Sequence, residues 1–201
     1  MRSGHDALGN RSESELVRAS RTGDAEAFDR LVEAHYRSVY NTAYRMLGTP
    51  SAASDATQAT FVRVWEALSS FRGDASFSTW LYRITMNVCL DELRRNKKQP
   101  LSLTVEDDDG EPAGERDMPD FSDEPAGAAE QRELQELVHA AIGRLSDDFR
   151  AVIVLYDIRG LSYQEISDAL EIPLGTVKSR LNRARQALRE EMQPWVELFD
   201  R

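Results

Sequence analysis

Apolar residues recur at three- and four-residue steps over most of this chain. The clearest run is Phe28, Leu31, Val32, Tyr36, Val39, Tyr40, Ala43, Tyr44 and Leu47. It predicts a long amphipathic helix, with Asp24 as N-cap and Gly48-Thr49-Pro50 as its stop. A shorter helix is predicted over Ser12 to Arg21, after a loose tail at residues 1–11. A third runs from about Ser51 to Leu68, with Phe61, Val64, Trp65 and Leu68 facing inward. Phe71 to Ser76 reads as a loop. A fourth helix, from about Phe77 to Arg95, carries Trp80, Leu81, Ile84, Val88 and Leu93 inside. It ends in a basic cluster of Arg94, Arg95, Lys97 and Lys98.

The pattern then stops. Pro100 to about Pro125 is rich in Asp, Glu, Gly and Pro and poor in apolar residues. Such a stretch cannot bury enough surface to order itself and predicts a flexible linker. Helical spacing resumes near Ala128 with Leu134, Leu137, Val138, Ala141, Ile142 and Leu145. Ser146 caps a further helix carrying Phe149, Val152, Ile153, Leu155 and Tyr156, ended by Gly160. The apolar tail Trp195, Val196, Leu198 and Phe199 is placed back against the preceding helices. The expected fold is all-α. Two small helical domains, at 12–98 and 128–192, are joined by an acidic linker at 99–127.

Leu161 to Arg189 is the most informative segment. Ser162 and Glu165 form an S-x-x-E capping box that starts a helix. Ile166, Ala169 and Leu170 give that helix one apolar face, and Pro173 interrupts it. A second helix follows with Lys178, Arg180, Arg183, Arg185 and Arg189, and with no acid between Leu174 and Arg189. Val177, Leu181, Ala184 and Leu188 line its inner side. The segment therefore reads as a helix-turn-helix whose second helix suits a major groove. A solvated basic face is the plainer alternative. Against it, Thr176, Lys178, Ser179, Arg180, Asn182 and Arg183 supply the side chains that bond base edges and phosphates. Gly175 lets a backbone approach where that helix starts.

Charge at first argues the other way, because 35 acidic residues outnumber 25 basic ones for a net charge of −10. Residues 104–133, however, hold 12 acids and two bases, which is the whole of that net charge. The remainder has 23 of each sign, so an acidic total does not exclude nucleic acid. Cys89 is the lone cysteine, which excludes an internal disulfide and a Cys-rich zinc site. His5, His35 and His139 are too scattered for a metal site. No paired acid–base constellation or Gly-rich phosphate loop points to an enzyme, and no cofactor is implied. The apolar runs fall short of a membrane span and no signal-peptide pattern opens the chain, so a cytoplasmic location is expected.

Four stretches together resemble one family. They are GDAEAFDRLVEAHYRSVYNTAYRML, DATQATFVRVWEAL, FRGDASFSTWLYRITMNVCLDELRR and LSYQEISDALEIPLGTVKSRLNRARQALR. In order and with a linker between the third and fourth, they resemble a sigma-70 family RNA polymerase sigma factor of the extracytoplasmic-function (ECF) group. The resemblance covers roughly residues 12–98 and 130–192. It implies a sigma-2 domain, a sigma-4 domain and a role in promoter recognition, −10 melting and transcription initiation. Clamp helices of the largest subunit of core RNA polymerase would meet a surface near Asp55, Gln58 and Arg63, with Phe61 and Trp65 as core. The −10 element would meet Arg72, Gly73, Asp74, Ser76 and Ser78, with Arg83, Asn87, Arg94, Arg95 and Lys98 tracking phosphate. Trp80 and the tyrosines of the long helix are assigned to packing.

The −35 element would meet Gly175, Thr176, Lys178, Ser179, Arg180 and Arg183. The flap of the second-largest subunit would meet the other side of sigma-4, including parts of the Phe149–Tyr156 helix. An anti-sigma factor is an implied partner. Four positions depart from the family pattern. Ala56 and Ala59 stand where a large apolar residue and an acid are common. Ser167 replaces a common Ala. Glu171 occupies a turn position that favours Gly or Asn, where a left-handed backbone would cost about 1 kcal/mol. The rival reading is a helix-turn-helix regulator that never joins polymerase, which leaves residues 24–98 without a task.

Overall fold

A computed structural model describes residues 11–98 and 128–199 of the chain, and all regular structure among them is helical. The expected tail and acidic linker lie outside the described residues, apart from Arg11, which pairs with Asp24 at 3.3 Å. Helix α1 spans Glu13–Arg21 behind a complete Ser12/Glu15 capping box. Helix α2, Ala25–Leu47, is capped by Asp24 and ends at Gly48, whose φ of 86° only glycine adopts without cost. Helix α3, Pro50–Ala67, starts with proline in its first turn behind Thr49 and passes into a short 3-10 turn at Leu68–Ser70. Helix α4 covers Phe77–Lys98, three residues beyond the predicted end.

Helices α5, Ala128–Arg144, and α6, Asp147–Ile153, follow, and α6 relaxes into a π turn at Val154–Ile158. Helix α7 is Tyr163–Leu170 and α8 is Leu174–Phe199. The apolar tail does not turn back as expected. It continues α8, with Pro194 inside the helix.

Helices α1 to α3 and the start of α4 enclose one core of Leu31, Val39, Phe61, Val64, Leu68, Phe77, Trp80 and Leu81. A second core runs from Met46, Ala56, Met86 and Cys89 directly into Ile142, Val152, Leu155, Ile166, Val177 and Leu181. The N-terminal and C-terminal helices therefore share apolar interior in this conformation.

Arg150 fastens that junction. It is 9% exposed, and its guanidinium donates to the carbonyls of Ile142, Gly143 and Leu145 at the end of α5 and of Met46 at the end of α2. A cation shared between two helix C-termini answers both the unpaired carbonyls and the negative ends of both dipoles. Its neighbour across the junction is a stack of Tyr44 on His139, centroids 4.4 Å apart.

Three positions predicted to pack inward, Tyr36, Trp65 and Leu134, are corrected, Tyr36 being 47% exposed on α2. Trp65 is 41% exposed and meets Phe28 of α2 with ring centres 4.8 Å apart. Leu134 is exposed as well. Trp80 is buried as expected. Ala56 is interior, and Ala59 packs half-buried against the same core. Both alanine departures thus face inward.

Candidate nucleic-acid interface

The C-terminal surface is built from the α7–α8 turn. Ser162 Oγ accepts from the Glu165 backbone, and Glu165 accepts from the Ser162 backbone at 2.8 Å, so α7 begins at a fixed point. The Ser162 backbone N–H first, and then the Ser162 hydroxyl, which donates to the same carboxylate oxygen at 2.8 Å, hold the Glu165 carboxyl below its ordinary range. The turn passes through Glu171 at φ 54° and ψ 41°, the left-handed conformation that the family pattern anticipates at this position. Ser167 Oγ donates to the Ile172 carbonyl at 2.6 Å, so this departure ties down the turn. Pro173 then accepts from the Thr176 and Val177 backbones and α8 starts.

Val177, Leu181 and Ala184 are buried, which turns the other faces of α8 outward. Lys178, Ser179, Asn182 and Arg183 are exposed, and Thr176 and Arg180 are half-buried. Thr176, Ser179, Arg180 and Arg183 lie on one stripe at three- and four-residue steps. Arg180 is held by Asp148 at 2.9 Å. Lys178 Nζ sits 5.9 Å from the Tyr163 ring centre, while Arg185 lies over Tyr156 at 4.9 Å and bonds Asp157. These contacts pre-order long basic side chains, so less freedom is lost when they meet an anion. A Cβ added at Gly175 would meet nothing within 4 Å, and its backbone is not left-handed. The fold gives no reason for glycine there. A close neighbour from outside the chain would.

The N-terminal surface lies at the loop before α4. Arg72, Gly73, Asp74 and Ser76 are exposed, and Gly73 takes φ 81°. Ser76 Oγ accepts from the Thr79 backbone at 3.0 Å and shares a hydrogen with the Thr79 hydroxyl at 2.8 Å. Ser78 and Arg83 are half-buried, and Asn87, Arg94 and Arg95 are exposed. Arg94 and Arg95 pair with Asp91 and Glu92 one helical turn before them. The described residues do not include the Lys98 side chain.

Between α2 and α3 runs an apolar groove of about 600 Å³ lined by Phe28, Val32, Tyr36, Phe61, Val62 and Trp65 with Ser54, Gln58 and Glu66 at its edge. Tyr36 and Val62 are 47% and 53% exposed. Of the three polar residues expected from the sequence to meet the polymerase clamp, Gln58 lines the groove. Asp55 and Arg63 lie outside it, Arg63 pairing with Asp91 at 3.5 Å. Sequence reasoning missed the apolar floor. The signal was present in the adjacent pairs Phe61-Val62 and Val64-Trp65, which need more than one face of α3.

Residues 31–99 match the family described as Sigma-70 region 2, and residues 135–188 match Sigma-70, region 4. The RNA polymerase sigma-H factor of Pseudomonas aeruginosa is 34% identical over 188 residues, covering 93% of this chain and 97% of that protein. The ECF RNA polymerase sigma factor SigW of Bacillus subtilis is 37% identical over 183 residues, covering 88% and 95%. This chain belongs to the ECF group of sigma-70 RNA polymerase sigma factors. CnrH, solved in complex with the cytosolic domain of CnrY, superposes with a TM-score of 0.65 at 27% identity, covering 90% of this sigma factor and 97% of CnrH. As a member of that group the sigma factor is a DNA-binding protein of transcription initiation.

In this sigma factor, α6 is the predicted flap-side element. Arg150 to Leu155 are all buried, which leaves Asp147, Asp148 and Phe149 on α6, and Tyr156 in the π turn after it, as available surface. Cys89 is fully buried, and burial pushes its thiol up to about 12, so it is no nucleophile at neutral pH. No helix among the described residues is long and apolar enough to cross a membrane.

Proposed function

We propose that this sigma factor joins core RNA polymerase through the α2–α3 groove, carries it to a two-part promoter and traps melted −10 bases. Three exposed apolar side chains lining one groove carry this reading, because a regulator acting alone has no use for them. The groove takes the clamp helices of the largest subunit, with Gln58 hydrogen-bonding at its rim and Asp55 and Arg63 making contact beside it. Asp147, Asp148, Phe149 and Tyr156 meet the flap of the second-largest subunit.

The sigma-2 unit at 12–98 and the sigma-4 unit at 128–192 divide the DNA between them. Thr176, Lys178, Ser179, Arg180 and Arg183 enter the major groove at the −35 element, and Gly175 admits the phosphate backbone. Arg72, Gly73, Asp74, Ser76 and Ser78 hold unstacked −10 bases, while Arg83, Asn87, Arg94, Arg95 and Lys98 follow the strand. CnrH is in complex with the cytosolic domain of CnrY, which supports a protein partner for the sigma factor apart from polymerase, and an anti-sigma factor is the partner proposed. A cytoplasmic location goes with this reading.

The decisive test is a native-gel or gel-filtration assay with bacterial core polymerase. Wild type is expected to co-migrate with it, and Val62→Glu to lose that association while keeping its helical content. Retained association in Val62→Glu would place the polymerase contact elsewhere.

A further inference from the structure

We propose that Asn182 is a base-reading residue of the helix-turn-helix and selects an adenine in the −35 element. The inference rests on the proposed promoter reading and specifies part of the sequence that this reading requires.

The buried side of α8 decides which residues face a groove. Each helical residue advances about 100° around the axis. Val177, Leu181 and Ala184 are buried, so Ser179, Asn182, Arg183 and Gln186 stand opposite them, and all four are exposed. Arg180 and Arg185 fall on the two flanks of that face. The rise of the helix puts Asn182 roughly 10 Å beyond Gly175, within the breadth of one major groove.

Internal bonds separate the side chains of α8 further. On the flanks, Arg180 is held by Asp148 at 2.9 Å and Arg185 by Asp157. On the outer face, Ser179 Oγ donates to the Thr176 carbonyl at 3.0 Å. Gln186 donates to Glu190 at 2.9 Å and accepts from Arg189 at 3.5 Å. The Asn182 side chain has no such bond among the described residues, so both ends of its carboxamide are available.

Nothing in the fold calls for asparagine at this position. It lies inside α8, away from either helix end, and there Asn is a poorer helix former than Ala, Lys, Gln or Arg. It is uncharged, so attraction to phosphate does not account for it. An exposed carboxamide offers one acceptor and one donor side by side. Adenine matches that pair in the major groove: its N6 amino group donates to Oδ1, and its N7 accepts from Nδ2. Guanine shows two acceptors there, and neither pyrimidine shows a donor beside an acceptor.

The test uses the full chain bound to core polymerase, on a promoter located by run-off transcription and then randomised through its −35 segment. Sequencing the bound duplexes gives the base preference at each position. Wild type is expected to favour adenine at one −35 position by about 5- to 150-fold. Asn182→Ala should lose the preference at that position alone. Its other positions and its salt dependence should match wild type, since no charge is removed. The variant breaks no internal bond and favours the helix, so far-UV circular dichroism should be unchanged. Asn182→Gln, with the same carboxamide on a longer stem, should recover part of the adenine preference. An unchanged base profile in Asn182→Ala, or a loss spread evenly over all positions, would overturn the role of Asn182 and leave the promoter reading intact. No start sites from wild type would overturn the promoter reading and this role with it.

Discussion

Replacing Arg150 by methionine keeps most of the side-chain volume and removes the cation that joins α2 to α5. Four carbonyls lose a donor: Met46 on α2, Ile142 and Gly143 on α5, and Leu145 just past its end. Hydrogen bonds to a charged group contribute about 1.5–3 kcal/mol each, but one guanidinium serves all four and the values do not add. Burial pulls the Arg150 pKa below its ordinary value, with Asp147 opposing, and the group stays charged at neutral pH. The expected loss is about 3–5 kcal/mol, a large part of the stability of a domain this size. Thermal unfolding should fall by roughly 10 °C. Urea titration followed by far-UV circular dichroism reads the change directly. The midpoint should drop with little change in slope, so that the loss is one of stability. Arg150→Lys, with one compact donor group, should recover about half of the lost stability. A cost below about 1 kcal/mol for Arg150→Met, which is the scale of ordinary surface changes, would refute the view that this residue pins the two helix ends.

Burial, with Arg45 and Arg150 nearby and the Gly48 backbone opposing, holds His139 below the ordinary imidazole range, and its Nδ1 is buried without a partner among the described residues. The unfolded chain therefore takes the proton more readily, so stability is full above the unfolded value of about 6.5 and falls as pH drops through it. His139→Phe should keep the Tyr44 stack and flatten that acid slope in denaturant titrations; an unaltered slope contradicts the assignment. Lys178→Ala and Arg183→Ala should each weaken −35 duplex binding and lower its salt dependence by about one ion, read from binding across a salt series; an unchanged slope removes that residue from the phosphate contact. Cys89 should resist thiol reagents in the native protein and react on unfolding, and fast native labelling would contradict its burial.

Much of the helix pattern was legible because local chemistry and packing agree along most of the chain. Asp24, Ser146 and Ser162 cap where their side chains predict, and Gly48 ends α2 where the sequence stops it. The tail beyond Arg189 was not legible, since Pro194 reads as a stop but is accommodated inside α8. Arg150 was invisible as well. A single cation inside the apolar run FRAVIVL looks like a surface residue until two helix C-termini converge on it. Trp65 misled for the reverse reason, because a large aromatic at core spacing was counted inward although its face has too little cover. The contact of Thr79 with Glu165 joins residues 86 positions apart, and nothing in either local pattern encodes it.

Promoter specificity conferred on polymerase by this chain, as proposed, is read out by run-off transcription on fragmented genomic DNA, with purified core polymerase and with or without the protein. Discrete new start sites should appear only with the protein, sharing two upstream elements at one fixed spacing. Promoter-like DNA binding without any polymerase-dependent start would contradict that role and leave a DNA-binding regulator in its place.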